Sequence, residues 1–248
     1  MQFNFSKNSN EIEKFMFGSF WRDDNCRELF VQNEKDVVLA VNKAYIDMTP
    51  RTIKGLGLSE SKVSAQTKKS PAYKQLKNDK EDLLNKVKLS LARNIIAKVF
   101  ITGKFDEETH QKLCKDFITD FKNIITQLNN GLLALNDKGV QLIDVNDITY
   151  GKAQKIVNMT MKYLYFFDDA HLYVNDVFNN CHMAVDEFIM KYFDGTITRT
   201  SQNWSNFDEK SYKSYQEAIK SECVKKGVKP FFAEFDYWNQ GREKKDQS

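Results

Sequence analysis

The chain has 248 residues, of which 41% are hydrophobic and 13% aromatic, and a formal net charge of +3. This apolar content excludes a generally disordered chain. Ten glycines and three prolines are too few for the many turns of a β-sandwich or barrel, whereas helical proteins need few such residues.

Apolar residues recur at helical spacing along most of the chain, which predicts an all-α protein. In the first half, the predicted helices cover 11–20, 34–48, 79–102 and 106–130. Asn10, Asp79 and Asp106 stand where helix N-caps are expected. Pro50 and Gly103 stand where the second and third of these helices are expected to end.

The second half continues in the same pattern after an irregular stretch at 135–148, in which 139–145 is a candidate short strand. Five further helices are predicted, at 150–164, 170–181, 184–193, 208–226 and 230–240. The total of roughly nine helices predicts non-bundle, orthogonal packing around one or two cores.

Composition divides the chain into four parts. We expect an N-terminal helical part at 1–56, a polar, basic loop or linker at 57–76, and a main helical domain at 77–240. The charged residues 241–248 are expected to form a disordered tail.

A basic block extends from Arg51 to Lys104, with thirteen Lys or Arg against four acids and a net charge of +9. Such a block is typical of proteins that bind a polyanion, nucleic acid above all, and Lys68 and Lys69 lie within it. The alternative is a solvated lysine-rich surface, because lysine is mostly exposed in any protein.

The predicted helix 150–164 reads YGKAQKIVNMTMKYL. Lys155, Asn158 and Lys162 fall on a common face, and Lys152 lies one turn before Lys155. A basic face beside an amide could hold phosphates, and an ordinary solvated face is the alternative.

Asp186 stands at the start of the predicted helix 184–193. A carboxylate there suits the positive end of a helix, which is a purely structural role. The functional alternative is an acid held near a helix N-terminus and directed into a cleft.

Together, YGKAQKIVNMTMKYL and HMAVDEFIM resemble the core of the helix-hairpin-helix DNA glycosylase and lyase superfamily, over residues 147–193. Members of that family carry a Gly-x-Gly-x-Lys hairpin before one helix and a Val-Pro-Val-Asp phrase before the next. Gly151 and Lys155 match the first phrase, and Val185 and Asp186 match the second. Ala153 and Ala184 replace a glycine and a proline of the pattern.

The resemblance implies a DNA-repair enzyme in which Lys155 is the nucleophile and Asp186 the acid partner. The lysine amine would attack the sugar of a flipped, damaged nucleotide and form a Schiff base. Asp186 would stabilise the positive charge that develops on the sugar and transfer protons. Tyr163, Phe167 or Trp204 could stack on the extruded base, although each is also a candidate core residue.

Other chemistry finds little support in the sequence. The four cysteines form no C-x-x-C pair, His110 is expected to be exposed, and His171, His182 and Cys181 lack zinc-site spacing, so neither a metal nor a cofactor is predicted. Gly55 and Gly57 could approach a phosphate or mark a surface turn. Glu234 is expected to cap a neighbouring element or to be exposed.

The sequence therefore predicts a DNA-acting glycosylase/lyase, with DNA as its partner. The alternatives are a non-catalytic helical module that binds nucleic acid or protein, or an interaction protein from a mobile element or a defence system. The first fifteen residues lack the pattern of a signal peptide, and no run of about 18 apolar residues occurs, so we expect a cytoplasmic location without membrane insertion.

Overall fold

The computed structural model describes residues 28–52, 64–139, 142–197 and 202–246. Within these ranges the chain forms eight α-helices and no strand, which confirms the predicted all-α class. The predicted helix 11–20 and the glycines Gly55 and Gly57 lie outside the described residues. The α-helices are α1 (Glu34–Thr52), α2 (Ala65–Lys69), α3 (Pro71–Ile95), α4 (Glu107–Ala134), α5 (Tyr150–Leu164), α6 (Glu187–Tyr192), α7 (Glu209–Lys225) and α8 (Pro230–Asp246).

Helix α3 begins eight residues earlier than predicted, because Ser70 and not Asp79 is its N-cap. The Ser70 hydroxyl oxygen accepts the Tyr73 N–H at 3.2 Å, and Pro71 occupies the first turn, where it costs no hydrogen bond. Most of the described part of the predicted 57–76 loop is thus helical. The C-terminal end continues as a π-helical turn and stops before Gly103, whose φ of +66° fits the predicted helix end.

Three other predictions are corrected by the structure. The predicted helix 170–181 is replaced by two short 3₁₀ turns, Ala170–Tyr173 and Phe178–Asn180, and residues 142–145 form no strand. Helix α8 does not end at residue 240 but continues to Asp246. It can do so because Gly241 lets it lie directly against α6: a Cβ at Gly241 would stand 2.0 Å from the Phe188 carbonyl oxygen.

The described N-terminal residues belong to the same core as the rest of the chain. The backbone N–H of Leu29 donates to Asp168 Oδ2 at 2.6 Å, and that of Val31 donates to Asp169 Oδ1 at 2.9 Å. Helix α1 packs against α5 and α3. In the described residues the buried side chains form one contiguous cluster that extends from α1 to α8.

Helix α5 is the central element of the fold. It packs against α1, α4 and α7 and against the turn at Trp204–Asn206, and twelve of its fifteen residues are buried. The sequence predicts an amphipathic helix with a basic outer face. The structure instead surrounds α5 with other helices, so its polar side chains face partners within the protein.

Gly151, near the start of α5, allows a very close approach to the turn at Trp204–Asn206. Its backbone N–H donates to the Phe207 carbonyl oxygen at 2.9 Å, and an added Cβ would lie 1.9 Å from the Trp204 carbonyl oxygen. Gly151, which matches the first glycine of the family's hairpin phrase, therefore has a packing role here, and its N–H is bonded within the protein.

We expect Gly151→Ala to lower the free energy of unfolding by about 1–3 kcal/mol, because the new methyl group meets backbone that cannot move aside freely. Urea denaturation measures the change. Gly131→Ala in α4 is the matched control, since its Cβ would meet only the flexible end of Leu76. Equal losses in the two variants would contradict the role of the Trp204 carbonyl.

Candidate active site

Lys155 and Asp186, which are 31 positions apart in the sequence, are in direct contact. Lys155 lies in α5, and Asp186 is the N-cap residue of α6. The Lys155 Nζ is 2.7 Å from Asp186 Oδ2, and only 9% and 13% of the two side chains remain exposed. The structure thus brings together the two residues that the sequence selected as a catalytic pair.

The Asp186 carboxylate accepts hydrogen bonds from three different elements. Its Oδ1 accepts the Ile189 N–H at 3.0 Å, which is the N-cap bond of α6. Its Oδ2 accepts from Lys155 and, at 2.9 Å, from the indole N–H of Trp238 in α8. Asp186 therefore has the capping role that the sequence offered as one alternative, and it also pairs with Lys155 and Trp238.

These contacts determine the charge of Asp186. Burial disfavours its carboxylate form, but the Lys155 ammonium, the Ile189 N–H and the Trp238 indole outweigh that effect, so the pKa of Asp186 lies below its ordinary value. Asp186 is therefore ionised at neutral pH, and the pair is a nearly buried ion pair held in one geometry by a backbone and an indole donor.

Trp238 contacts the pair, although it was not among the aromatic candidates selected from the sequence. Its ring lies edge-on to Phe188 at a centroid distance of 4.8 Å, and the Arg242 guanidinium lies 6.0 Å from its centroid. Lys245 pairs with Glu187 at 2.7 Å, beside Asp186 in the chain. The last turns of α8, predicted as a disordered tail, thus place aromatic and basic side chains around the pair.

A second ion pair lies two turns further along α5. Lys162 Nζ is 2.9 Å from Glu234 Oε1, and Glu234, which is 1% exposed, accepts the Ala184 N–H on Oε2 at 2.7 Å. Lys162 also lies 4.6 Å from the centroid of the Phe235 ring. Lys162 was predicted to bind phosphate, but in the structure it fastens α8 to α5 and to the segment before α6. Glu234 caps that segment, one of the two alternatives that the sequence left open.

Asn158 lies between Lys155 and Lys162 on α5, but the protein encloses it and it forms no part of an exposed basic face. It is 2% exposed, and its amide nitrogen donates to Gln154 Oε1 at 2.9 Å and to the Tyr212 hydroxyl oxygen at 3.0 Å. Its Oδ1 is 3.0 Å from His110 Nε2. Asn158 therefore organises polar groups inside the protein.

Three predicted nucleic-acid ligands remain to be placed: Lys152, Lys68 and Lys69. Lys152 is half-buried, and its ammonium donates to the Asp147 carbonyl oxygen. Lys68 and Lys69 form the last turn of α2, and Lys69 is exposed. Part of the surrounding basic block is neutralised by other elements: Arg93 pairs with Glu34 at 2.7 Å, and Lys98 pairs with Asp116 at 2.6 Å.

The three aromatic candidates for base stacking have different environments. Tyr163 and Phe167 are each 4% exposed, and the Tyr163 hydroxyl donates to Asp47. Trp204 is half-buried in the turn that packs on Gly151. Tyr163 and Phe167 are therefore core residues, and Trp238 is the aromatic side chain in contact with the Lys155–Asp186 pair.

The histidines are arranged differently from the prediction. His110 was expected to be exposed, but it is fully buried because α4 turns that face toward α5 and α7. His182 lies against it, with a ring-centroid distance of 4.2 Å, and pairs with Glu107 at 3.0 Å. His171 is exposed, and buried Cys181 contacts the Val177 carbonyl oxygen.

Comparison of the chain with protein-family models, with curated proteins and with solved structures finds no match. Among the described residues, no helix has both the length and the apolar character needed to cross a membrane. The function is therefore inferred from the side chains of the site itself.

Proposed function

We propose that this protein is a DNA-acting enzyme of the glycosylase/lyase type, with Lys155 as the nucleophile and Asp186 as its acid–base partner. The observation that carries the proposal is the 2.7 Å contact between the Lys155 amine and the Asp186 carboxylate. Nothing in the local sequence requires this contact, because each residue lies on a separate helix and 31 positions separate them.

The chemistry requires that the lysine lose its proton before it attacks. Asp186 Oδ2 is at hydrogen-bond distance from the amine and would relay its proton to the departing base, because a carboxylate with a lowered pKa does not retain it. The free amine would attack C1′ of the damaged nucleotide as the bond from C1′ to the base breaks and the base leaves with that proton. A second amine proton would pass to the ring oxygen as the sugar opens, which leaves a protonated Schiff base on Lys155. At a site that has already lost its base, the amine condenses with the C1′ aldehyde and releases water.

The surroundings of the pair also suit a nucleic acid. Trp238 and Phe188 offer aromatic surface next to Asp186, and Arg242 and Lys245 offer positive charge on the same side of α6 and α8. Aromatic stacking and phosphate neutralisation are the interactions that hold an extruded nucleotide and its backbone. The 9% and 13% exposure of the pair places it at the edge of the core.

The direct test is reductive trapping. The full-length protein is incubated with duplex DNA that contains an abasic site or an oxidised base, and borohydride reduces the Schiff base to a stable amine. We expect a covalent protein–DNA adduct with the unmodified protein and none with Lys155→Ala. Lys155→Arg is the matched control for folding, because it retains the cation beside Asp186 but lacks the primary amine. Loss of the adduct in both variants supports the proposal, and absence of any adduct from the unmodified protein refutes it.

The non-catalytic alternative makes a different prediction in the same experiment. A helical DNA-binding module would bind in a salt-sensitive manner that survives Lys155→Arg. Its affinity would fall when Lys68 and Lys69 in α2 and Lys74 in α3 are neutralised. An interaction protein that neither binds nor modifies DNA would show no DNA affinity at all.

A further inference from the structure

Two of the three histidines in the chain meet a glutamate beside Asn158 of α5. Glu107 and His110 lie in the first turns of α4, and His182 lies in the segment between α5 and α6. One ligand atom from each of the three residues lies within 4.8 Å of the others. His110 is fully buried, His182 is mostly buried, and Glu107 opens the group to the surface.

Two further side chains orient the imidazole rings from outside this group. The Tyr212 hydroxyl is 2.9 Å from His182 Nδ1, which leaves His182 Nε2 facing Glu107. The Asn158 amide nitrogen donates to Tyr212 and Gln154, so the Asn158 oxygen, Oδ1, is the atom that faces His110 Nε2. Oδ1 accepts a hydrogen bond from His110 Nε2. The other nitrogen of the His110 ring, Nδ1, then has a lone pair. Outer partners that fix the tautomer and orientation of a histidine are characteristic of metal sites.

Burial favours the form of His110 that binds a metal. It disfavours the charged imidazole and holds the pKa of His110 below its ordinary value. Buried Cys114 is also close, with its Sγ 3.7 Å from His110 Nε2. It is not part of the three-residue group whose ligand atoms lie within 4.8 Å of one another.

We propose that Glu107, His110 and His182 bind a divalent transition-metal ion of the zinc type. Two imidazole nitrogens and one carboxylate oxygen are ligands that Zn²⁺ prefers, and three protein ligands leave a fourth position for water or another donor. The ion takes the place of the proton between His182 Nε2 and Glu107. The imidazole would then carry its proton on Nδ1, which faces the Tyr212 oxygen.

The ion would join the first turn of α4 to the segment that leads into Asp186. This role does not depend on the proposed DNA chemistry. The protein can bind Zn²⁺ without forming a DNA adduct, and it can form the adduct without binding Zn²⁺.

The test uses the full-length, reduced protein after removal of metals with a chelator, and Zn²⁺ alone as the probe. Calorimetry or competition with a chromophoric chelator measures affinity, and thermal unfolding measures stabilisation by the ion. We expect one saturable Zn²⁺ site per chain. Affinity should fall at least about 10-fold in Glu107→Gln and in His182→Gln. It should fall about 10–100-fold in Tyr212→Phe, which removes the hydroxyl that contacts His182 and Asn158 but none of the three ligands.

The third histidine supplies the control. His171 is exposed and belongs to another part of the surface, so His171→Gln should bind Zn²⁺ with unchanged affinity. Glu107 is exposed enough that Glu107→Gln should fold normally, which keeps the test valid if a buried histidine variant does not fold. Absence of saturable binding, or equal affinity in Glu107→Gln, His182→Gln and His171→Gln, overturns the proposal.

Discussion

Asp186→Asn is expected to lower the free energy of unfolding by about 3–5 kcal/mol, which is typical when one partner of a buried ion pair is removed. Asparagine is a good N-cap and keeps the volume of the side chain, so the bond from Ile189 N–H survives. The loss arises because the Lys155 ammonium remains in its nearly buried position without a counter-charge.

Chemical denaturation of three variants isolates this charge effect. In the double variant Lys155→Met/Asp186→Asn no unpaired charge is left, so most of the stability should return. The double variant should fold and yet form no borohydride adduct, which separates stability from activity. Glu187→Gln is the control. Glu187 is adjacent to Asp186 and forms an ion pair with Lys245 at 2.7 Å, but its side chain is exposed. This replacement should therefore lower the free energy of unfolding by at most about 1 kcal/mol.

The pH dependence follows from the low pKa of Asp186. A carboxyl group whose pKa is lowered by folding stabilises the protein above its unfolded value of about 3.9, and this stabilisation disappears as the pH falls through the folded value. The stability difference between the unmodified protein and Asp186→Asn should therefore be constant near pH 6–7 and vanish in strong acid. A difference that grew on acidification would contradict the ionised pair.

Glu234→Gln is expected to cost a similar amount, about 3–5 kcal/mol, although it changes a single atom. Both carboxylate oxygens of Glu234 face donors, the Lys162 ammonium and the Ala184 N–H. An amide has only one oxygen, so its NH₂ group must face one of these donors in a position that is 1% exposed. The lost negative charge also leaves Lys162 without its partner.

Urea denaturation measures this loss, and Asp236→Asn in the same helix is the control. Asp236 is exposed and contacts Gln240 one turn away, so its replacement should change stability by no more than about 0.5 kcal/mol. If Glu234→Gln behaved like Asp236→Asn, Glu234 would not be holding α8 against Ala184. Such a result would also weaken the assignment of Trp238 to the site, since Trp238 lies in the same helix.

Local features of the fold were predictable from the sequence. The helical class, the Asp106 cap of α4, the start of α8 at Pro230 and the helix stop at Gly103 all depend on residues within one or two turns of each other. The errors at 65–76 and beyond residue 240 have a common cause. The polar residues of both segments predict irregular structure. The Ser70 cap and the packing of Gly241 on Phe188 nevertheless make these segments helical.

The sequence by itself determined the all-α class and most of the long helices among the described residues, and it selected Lys155 and Asp186 as a pair. Only the tertiary structure decided which side chains meet, because periodicity identifies a helix face but not the partner that covers it. That is why Asn158, predicted on a phosphate-binding face, lies buried against His110, and why Trp238 is in contact with Asp186. The enclosure of α5 on several sides by other helices makes its polar residues internal, and no local pattern encodes it.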